Sequence, residues 1–499
     1  MSDPTRSATG MGDPGHTQRG GRLRAGSLTA PHVVFMVLAA AAPMAVVVAI
    51  MPIAFALGNG AGTPGMYLLA ALVLLLFSIG YVRAVPYVRN AGAFYAYIAQ
   101  GLGRPLGLVA AYTAAICYNA LSAATCGALA FFAADTANRM LGVDLPWPFW
   151  AAIGIALVLL LSYRRITVSA RVLTVALSLE VFILLVLVVG ILFQAGPSAF
   201  SFEVFMPTAV ASGSIGVAVI YALSSFLGFE GTAIYAEETR DPVRTVPRAT
   251  YGAVAVVGVF YVLCAWGLAA GAGVDRVGAV AGEDPGSFVF AITDQYLGSW
   301  AVDVIGVLVV VSSFAAVLAF HNAAARYFYA LARDGFLPAP LARTHPRYGS
   351  PYVAGISQVV VLAVLVFGFA LAGLDPLLNL ATAMTGFGAV GLESLLTLTS
   401  LAIVVFFWRQ GRRDFGHVIA PAIASVALAV ATILSFVNYQ FLTGSDSSII
   451  NSLPWLHLVT LVVGLALAFL VRRRDPERYS RMGSTPVEEK EAYPEQPLR

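Results

Sequence analysis

Glu180, Glu230, His321 and Glu393 each stand inside a long run of apolar residues. An ionisable side chain in hydrocarbon costs roughly 2.5–3.5 kcal/mol even on scales that allow for relaxation, so each needs a partner or a task. A carboxyl group in such a place can carry a proton, bind a cation or accept N–H bonds from interrupted backbone. Glu180 and Glu230 are the candidate coupling groups. Each has a structural alternative: Glu230 as a carboxylate that holds a broken segment in shape, Glu180 as the buried partner of a polar neighbour. His321 and Glu393 read first as satisfied polar groups near a helix end or in a bundle interior.

Two of the apolar runs are interrupted at corresponding places. The first carries Ala39-Ala40-Ala41-Ala42-Pro43-Met44, where Pro43 lacks an amide hydrogen and crowds the preceding turn. The sixth carries Ser224-Ser225-Phe226-Leu227-Gly228-Phe229-Glu230-Gly231, two glycines bracketing a carboxylate. Paired interruptions near the middle of a bilayer are the best sequence pointer to a transport site. The candidate substrate-binding residues are therefore Ala40, Ala41, Ala42, Pro43 and Met44 on one side, and Ser224, Ser225, Phe226, Gly228 and Glu230 on the other. Half-helix amino ends offer N–H groups and positive dipole to a carboxylate, whereas carbonyl ends attract an ammonium group or a cation. A zwitterionic amino acid uses both; a polyamine or amino alcohol uses the second alone. The structural alternative is a proline kink and glycines that let helices approach closely.

The elements that must position these residues follow from composition. The 499 residues are 59% hydrophobic and 11% charged, with a mean hydropathy of +0.82. A water-soluble domain cannot hide that much apolar surface, so the solvent is a bilayer and the chain is an all-α membrane protein. Counting apolar runs of roughly 17–25 residues predicts twelve transmembrane helices. They are Pro31–Leu57, Met66–Val85, Leu106–Ala133, Trp147–Ser162, Arg171–Phe193, Ser214–Ala236, Ala249–Ala270, Trp300–Phe328, Tyr352–Ala372, Pro376–Trp408, Val418–Phe441 and Leu453–Val471. Residues 1–30, rich in Gly, Ser, Thr and Arg, read as a disordered cytoplasmic tail. Basic residues near span ends stay on the cytoplasmic side, and placing both termini there leaves only Arg139 and Arg276 outside.

Other classes of function find little support. No basic helix interleaved with aromatics suggests a nucleic-acid partner. Cys117, Cys126 and Cys264 all fall in apolar runs, fitting neither a disulfide framework nor a metal site. The G-x-G-x-x-G matches at Gly60–Gly65 and Gly386–Gly391 follow no strand, and no H-E-x-x-H, P-loop or G-x-S-x-G element occurs. The expectation is no enzyme, no cofactor and no metal.

Gly228-Phe229-Glu230, followed by Glu237-Glu238-Thr239-Arg240-Asp241-Pro242-Val243-Arg244-Thr245-Val246-Pro247-Arg248-Ala249, resembles the hallmark of the amino acid/polyamine/organocation superfamily. Asn90-Ala91-Gly92-Ala93-Phe94-Tyr95-Ala96-Tyr97 and Ala332-Arg333-Asp334-Gly335-Phe336-Leu337-Pro338 are similar to further motifs of it, as are His345-Pro346 and Ser350-Pro351. The resemblance covers nearly all the chain outside the tails. It implies a leucine-transporter-like fold of five plus five inverted helices with two more: 31–195 as first repeat, 196–410 as second, 411–471 for the last two spans and 472–499 as a cytoplasmic tail. It implies, too, a permease that moves amino acids across the plasma membrane by alternating access, proton-coupled or by exchange. Substrate would lie between the breaks of spans one and six, with spans three, eight and ten closing the pocket. Two features depart from the pattern. Many amino acid members have a glycine-rich first break where this chain has alanines and Pro43, and the Pro43-Met44 pair resembles some putrescine importers, which keeps a polyamine or amino-alcohol importer as the alternative. Glu180 falls where some proton-coupled relatives carry a lysine in place of a sodium ion. A sensor that does not transport is the alternative from another class.

Overall fold

The computed structural model describes residues 41–88, 94–164, 170–230, 242–346, 350–443 and 447–481. Several expectations lie outside them: both extreme tails, the first part of the Pro31–Leu57 span with Ala40, residues Asn90–Ala93, the end of the Ser214–Ala236 span from Gly231, the loop stretch Glu237–Asp241, and Arg89, Arg165 and Arg347. Among the described residues the regular structure is helical throughout. Twelve helical pieces matter here. They are α1 (43–59), α2 (Thr63–Ala84), α3 (Arg104–Leu141), α4 (Trp147–Arg164), α5 (Ala170–Ala195), α6 (Ile215–Ser224), α7 (Pro242–Ala272), α8 (Ser299–Arg333), α9 (Tyr352–Leu371), α10 (Thr382–Arg409), α11 (Ala420–Val437) and α12 (Leu456–Arg474).

Nine helical stretches among the described residues are long and apolar enough to cross a membrane; Trp147–Tyr163 and Ile215–Ser224 are shorter apolar helices. The first stretch, Pro43–Ala84, holds both α1 and α2. Non-helical backbone at Gly58 and a positive φ of 53° at Gly60 divide the two. The outward faces are apolar. Val426, Val430, Ile433 and Val437 recur every three or four residues along α11, each more than half exposed, while Ala424, Leu428 and Ser435 are fully buried. A helix that presents valine outward and alanine or serine inward is built for hydrocarbon outside and close packing inside.

Three helices run past the expected limits. α3 continues through Asp135 and Arg139 to Leu141, and α8 continues to Arg333. Apolar counting stops at charges, but a helix stops where its last carbonyls are capped. Gly142 with φ 66° ends α3 by accepting that task with its N–H, and Gly335 with φ 80° follows α8. α7 begins at Pro242, seven residues before the expected start. Conversely, the sixth span stops as regular helix at Ser224.

At the centre α3 lies against α8 along much of its length, and α10, α12 and α4 pack around α3. α3 buries many small residues, with Ala110, Ala114, Ala123 and Ala130 fully buried. Small side chains let helix backbones approach closely, which supplies most of the packing attraction inside lipid. On one rim Arg83 at the end of α2 meets Asp414 at 3.3 Å. The Asp414 carboxyl, held below its usual range by the His417 hydrogen bond, caps the turn that leads into α11.

Gly101, at the end of the short helix Phe94–Gly101, leaves no room for a methyl group: a Cβ there would lie 2.2 Å from the Ala402 carbonyl oxygen of α10. Gly252 on α7 has open space around it. Gly101→Ala should therefore destabilise the detergent-solubilised protein by roughly 1–3 kcal/mol of overpacking, whereas Gly252→Ala should leave its thermal midpoint unchanged or raised. Paired thermal unfolding of the two variants checks this.

Candidate functional site

The first break falls one residue before the proline. Ala42 has φ 41° and ψ 66°, and it is the sole non-glycine residue with positive φ among the described residues. A proline disfavours helical backbone in the residue before it, and its own fixed φ suits the first position of a new helix. So Pro43 starts α1 rather than kinking it, and Ala42 takes the strain, a cost of about 1–3 kcal/mol for such backbone.

That new helix end needs acceptors for its N–H groups. Pro43 has none to offer. The Met44 N–H donates to Glu180 Oε2 at 3.3 Å, the Ala45 N–H to Ser312 Oγ at 3.4 Å, and the Val46 N–H to the Ala42 carbonyl at 3.0 Å. Ser312 in turn donates to Glu180 Oε2 at 2.8 Å. A carboxylate from α5 and a hydroxyl from α8 thus cap the amino end of α1, where the helix dipole favours negative charge. A small cavity adjoins this cap, bounded by Ala42, Pro43, Leu177, Glu180, Val311 and Ser312.

The second break begins where α6 ends. Residues 225–230 are turns, and Gly228 has φ 113°, open in practice only to glycine. Glu230 is fully buried. Its Oε2 accepts the Gly228 N–H at 2.8 Å and its Oε1 accepts the Tyr118 hydroxyl of α3 at 2.7 Å. Tyr81 of α2 donates to the Glu230 backbone carbonyl at 3.3 Å. Ser224 and Ser225 both donate back to the Tyr221 carbonyl, and Ser225 also meets Tyr67 at 2.9 Å.

Tyr261 on α7 touches both breaks. Its hydroxyl donates to the Ala41 carbonyl at 2.9 Å, and its ring meets Phe226 edge-on with centroids 5.5 Å apart. Tyr118 stacks on Tyr327 at 5.6 Å and on Phe320 at 6.3 Å. Ala41, Ala42, Met44, Ser225, Phe226 and Glu230 are all buried, so the two breaks are closed off from solvent in this form.

His321 and Glu393 bond elsewhere. His321 Nδ1 pairs with Gln358 Oε1 of α9, while its Nε2 lies 2.7 Å from the Ser162 hydroxyl of α4. Glu393 Oε2 accepts from Ser435 of α11 at 2.7 Å. No group of three or more metal-ligating side chains occurs among the described residues. A larger groove of about 490 Å³ lies between α5 and α8. Its walls include the outward-facing Phe182 and Trp300, so it belongs to the lipid-facing surface rather than to the breaks. The sequence reading missed Tyr261, Ser312, Tyr118, Tyr67 and Tyr81. Their signal was hydroxyls in runs that are otherwise apolar, too common a feature to single them out.

With this geometry in view, comparison with known proteins gives a consistent result. A family profile described as amino acid permease matches residues 28–466, and the chain belongs to that family. It is similar to the branched-chain amino acid permease BcaP of Bacillus subtilis, 26% identical over 320 residues, which span 60% of this chain and 66% of BcaP. It is also similar to the uncharacterized transporter Rv1979c of Mycobacterium tuberculosis, 30% identical over 342 residues, 63% of this chain and 67% of that one. These matches span about two thirds of the length of each relative. In fold it resembles the Eremococcus coleocola manganese transporter, whose crystal structure contains an aromatic bis-isothiourea substituted compound. The TM-score is 0.54 at 12% identity, covering 91% of this chain and 96% of that one. The protein is thus a multi-pass all-α membrane protein of a transporter family, with a leucine-transporter-like fold.

Tyr261→Phe keeps the ring and removes the bond to the Ala41 carbonyl. It should cost about 1 kcal/mol, whereas Tyr261→Ala, which also empties the space between the breaks, should cost roughly 3–5 kcal/mol. Chemical or thermal unfolding in one detergent checks the order; equal costs would contradict the bridging role.

Proposed function

We propose that this member of the amino acid permease family is a secondary active transporter that carries a small amine-bearing solute by alternating access, with Glu180 as its proton-coupling group. The observation that supports this most is one carboxylate on α5 holding both the Met44 amide at the first break and Ser312 on α8. Protonating Glu180 removes the negative charge that the α1 amino end favours and loosens the joint between three helices; losing the proton restores it. A proton therefore bears differently on two arrangements of the same helices, which coupling requires.

In the finer arrangement we propose, α1 to α12 are twelve spans. Residues 31–195 and 196–410 are inverted repeats that open with the two breaks, 411–471 hold the last two spans, and 1–30 and 472–499 are tails. The arginine pattern supports a cytoplasmic membrane with both tails on the cytoplasmic side. Ala40, Ala41, Ala42, Pro43 and Met44, with Ser224, Ser225, Phe226, Gly228 and Glu230, would seat the cargo. The family and the name of BcaP support an amino acid; a polyamine or amino alcohol shares the ammonium and lacks the carboxylate.

In proteoliposomes an inward proton gradient should raise uptake by the wild-type protein. Glu180→Gln should keep counterflow while its uptake ignores the gradient. A variant that responds to the gradient as the wild type does would set the coupling role aside, and wild-type protein without counterflow would favour a sensor that does not transport.

A further inference from the structure

The groove between α5 and α8 lies apart from both breaks. Leu179, Phe182 and Ile183 of α5 face Val304, Val307 and Leu308 of α8 across about 490 Å³. Phe182 on one wall and Trp300 at one end are each more than half exposed, so the slot opens sideways toward hydrocarbon. An acyl chain is what a bilayer offers such a slot, and seating one adds dispersion contacts along every wall.

The Trp300 end of the slot is polar. Asp303 is among its walls, and its carboxylate lies 3.7 Å from the Arg139 guanidinium of α3, the side chains being 46% and 29% exposed. The guanidinium rests in a notch on α8, where a Cβ on Gly306 would stand 2.3 Å from Arg139 Nη2. It also lies over the Phe290 ring, 5.0 Å from the centroid. At 3.7 Å the two charges are beyond hydrogen-bond length, so both keep positions for a further partner. Trp300 has the amphipathic ring that membrane interfaces favour.

A fixed pair of opposite charges selects among headgroups. A phosphate at Arg139 brings the rest of the headgroup over Asp303. Ethanolamine places an ammonium with three N–H donors there, which a carboxylate accepts strongly. Choline places a cation with no N–H, and glycerol leaves the net negative charge of the phosphate beside the acid.

We propose that this groove binds one phosphatidylethanolamine, with an acyl chain between α5 and α8, its phosphate at Arg139 and its ammonium at Asp303. The far end of the slot, at Leu179 and Leu308, lies one residue from Glu180 and one turn from Ser312. The bound chain therefore sits behind the bond that joins α5 to α8 and holds the spacing of the two helices.

The test is tryptophan quenching of the full-length protein in phosphatidylcholine vesicles. Each preparation carries the same low mole fraction of one lipid with brominated acyl chains: phosphatidylethanolamine, phosphatidylcholine or phosphatidylglycerol. The signal is the difference between a chain with Trp300 and the same chain with Trp300→Phe. Quenching by the ethanolamine lipid should exceed that by the choline lipid about two- to fivefold, the factor of a half-exposed charge contact. Asp303→Asn and Arg139→Gln, on different helices, should each bring the two values together. Equal quenching by all three lipids, or a preference for either of the other headgroups, would overturn the proposal, as would an ethanolamine preference that survives both substitutions. The wild-type comparison decides even where one variant fails to fold. No cargo enters the measurement, so its outcome leaves the carrier reading untouched.

Discussion

A helix interrupted inside hydrocarbon leaves amide groups that water cannot reach, and the rest of this structure is arranged around meeting that need. Ala42 and Gly228 are the two interruptions, both with positive φ. Each is answered by a carboxylate, but the two answers differ in reach. Glu230 caps its own turn from two residues away, whereas Glu180 comes from another helix 136 residues along the chain. The local cap keeps the α6 break in shape wherever that segment goes. The distant cap makes the α1 break depend on where α5 and α8 lie.

The surrounding residues divide their work accordingly. Tyr118 and Tyr81 fix Glu230 from α3 and α2 through its carboxylate and its carbonyl. Tyr261 joins the two breaks, holding the Ala41 carbonyl while its ring rests on Phe226. Behind them α3, with many small residues buried, packs closely on α8, and the outward valines of α11 meet lipid. Strain at Ala42, buried carboxylates and fixed hydroxyls thus collect in one region of a bundle whose other surfaces follow ordinary membrane packing.

Much of this was legible in the sequence, because the signals were local. Apolar runs marked where spans lie, Pro43 and Gly228 marked where regular backbone fails, and Glu180 and Glu230 stood out as acids among apolar neighbours. The errors have physical causes. α3 and α8 overran their expected ends because a helix stops at a capped glycine, not at a charge. The first break was expected within Ala39–Met44; that its strained residue is Ala42 follows because proline acts on the residue before it. What the sequence left open was pairing: nothing along the chain says that Met44 finds Glu180, or that Tyr261 rather than another of the 20 tyrosines spans the breaks. Such contacts depend on tertiary geometry.

The central claim is that the two breaks together bound one path for cargo. Side-specific thiol labelling tests it most directly, with Met44→Cys and Ser225→Cys each placed in a chain whose three buried cysteines have been replaced. The account predicts that a membrane-impermeant reagent reaches both positions from the outer face in right-side-out vesicles and from the inner face in inverted ones. Cargo should protect them in both cases. Labelling of either position from one face alone, or from neither while an exposed control cysteine reacts, would contradict it.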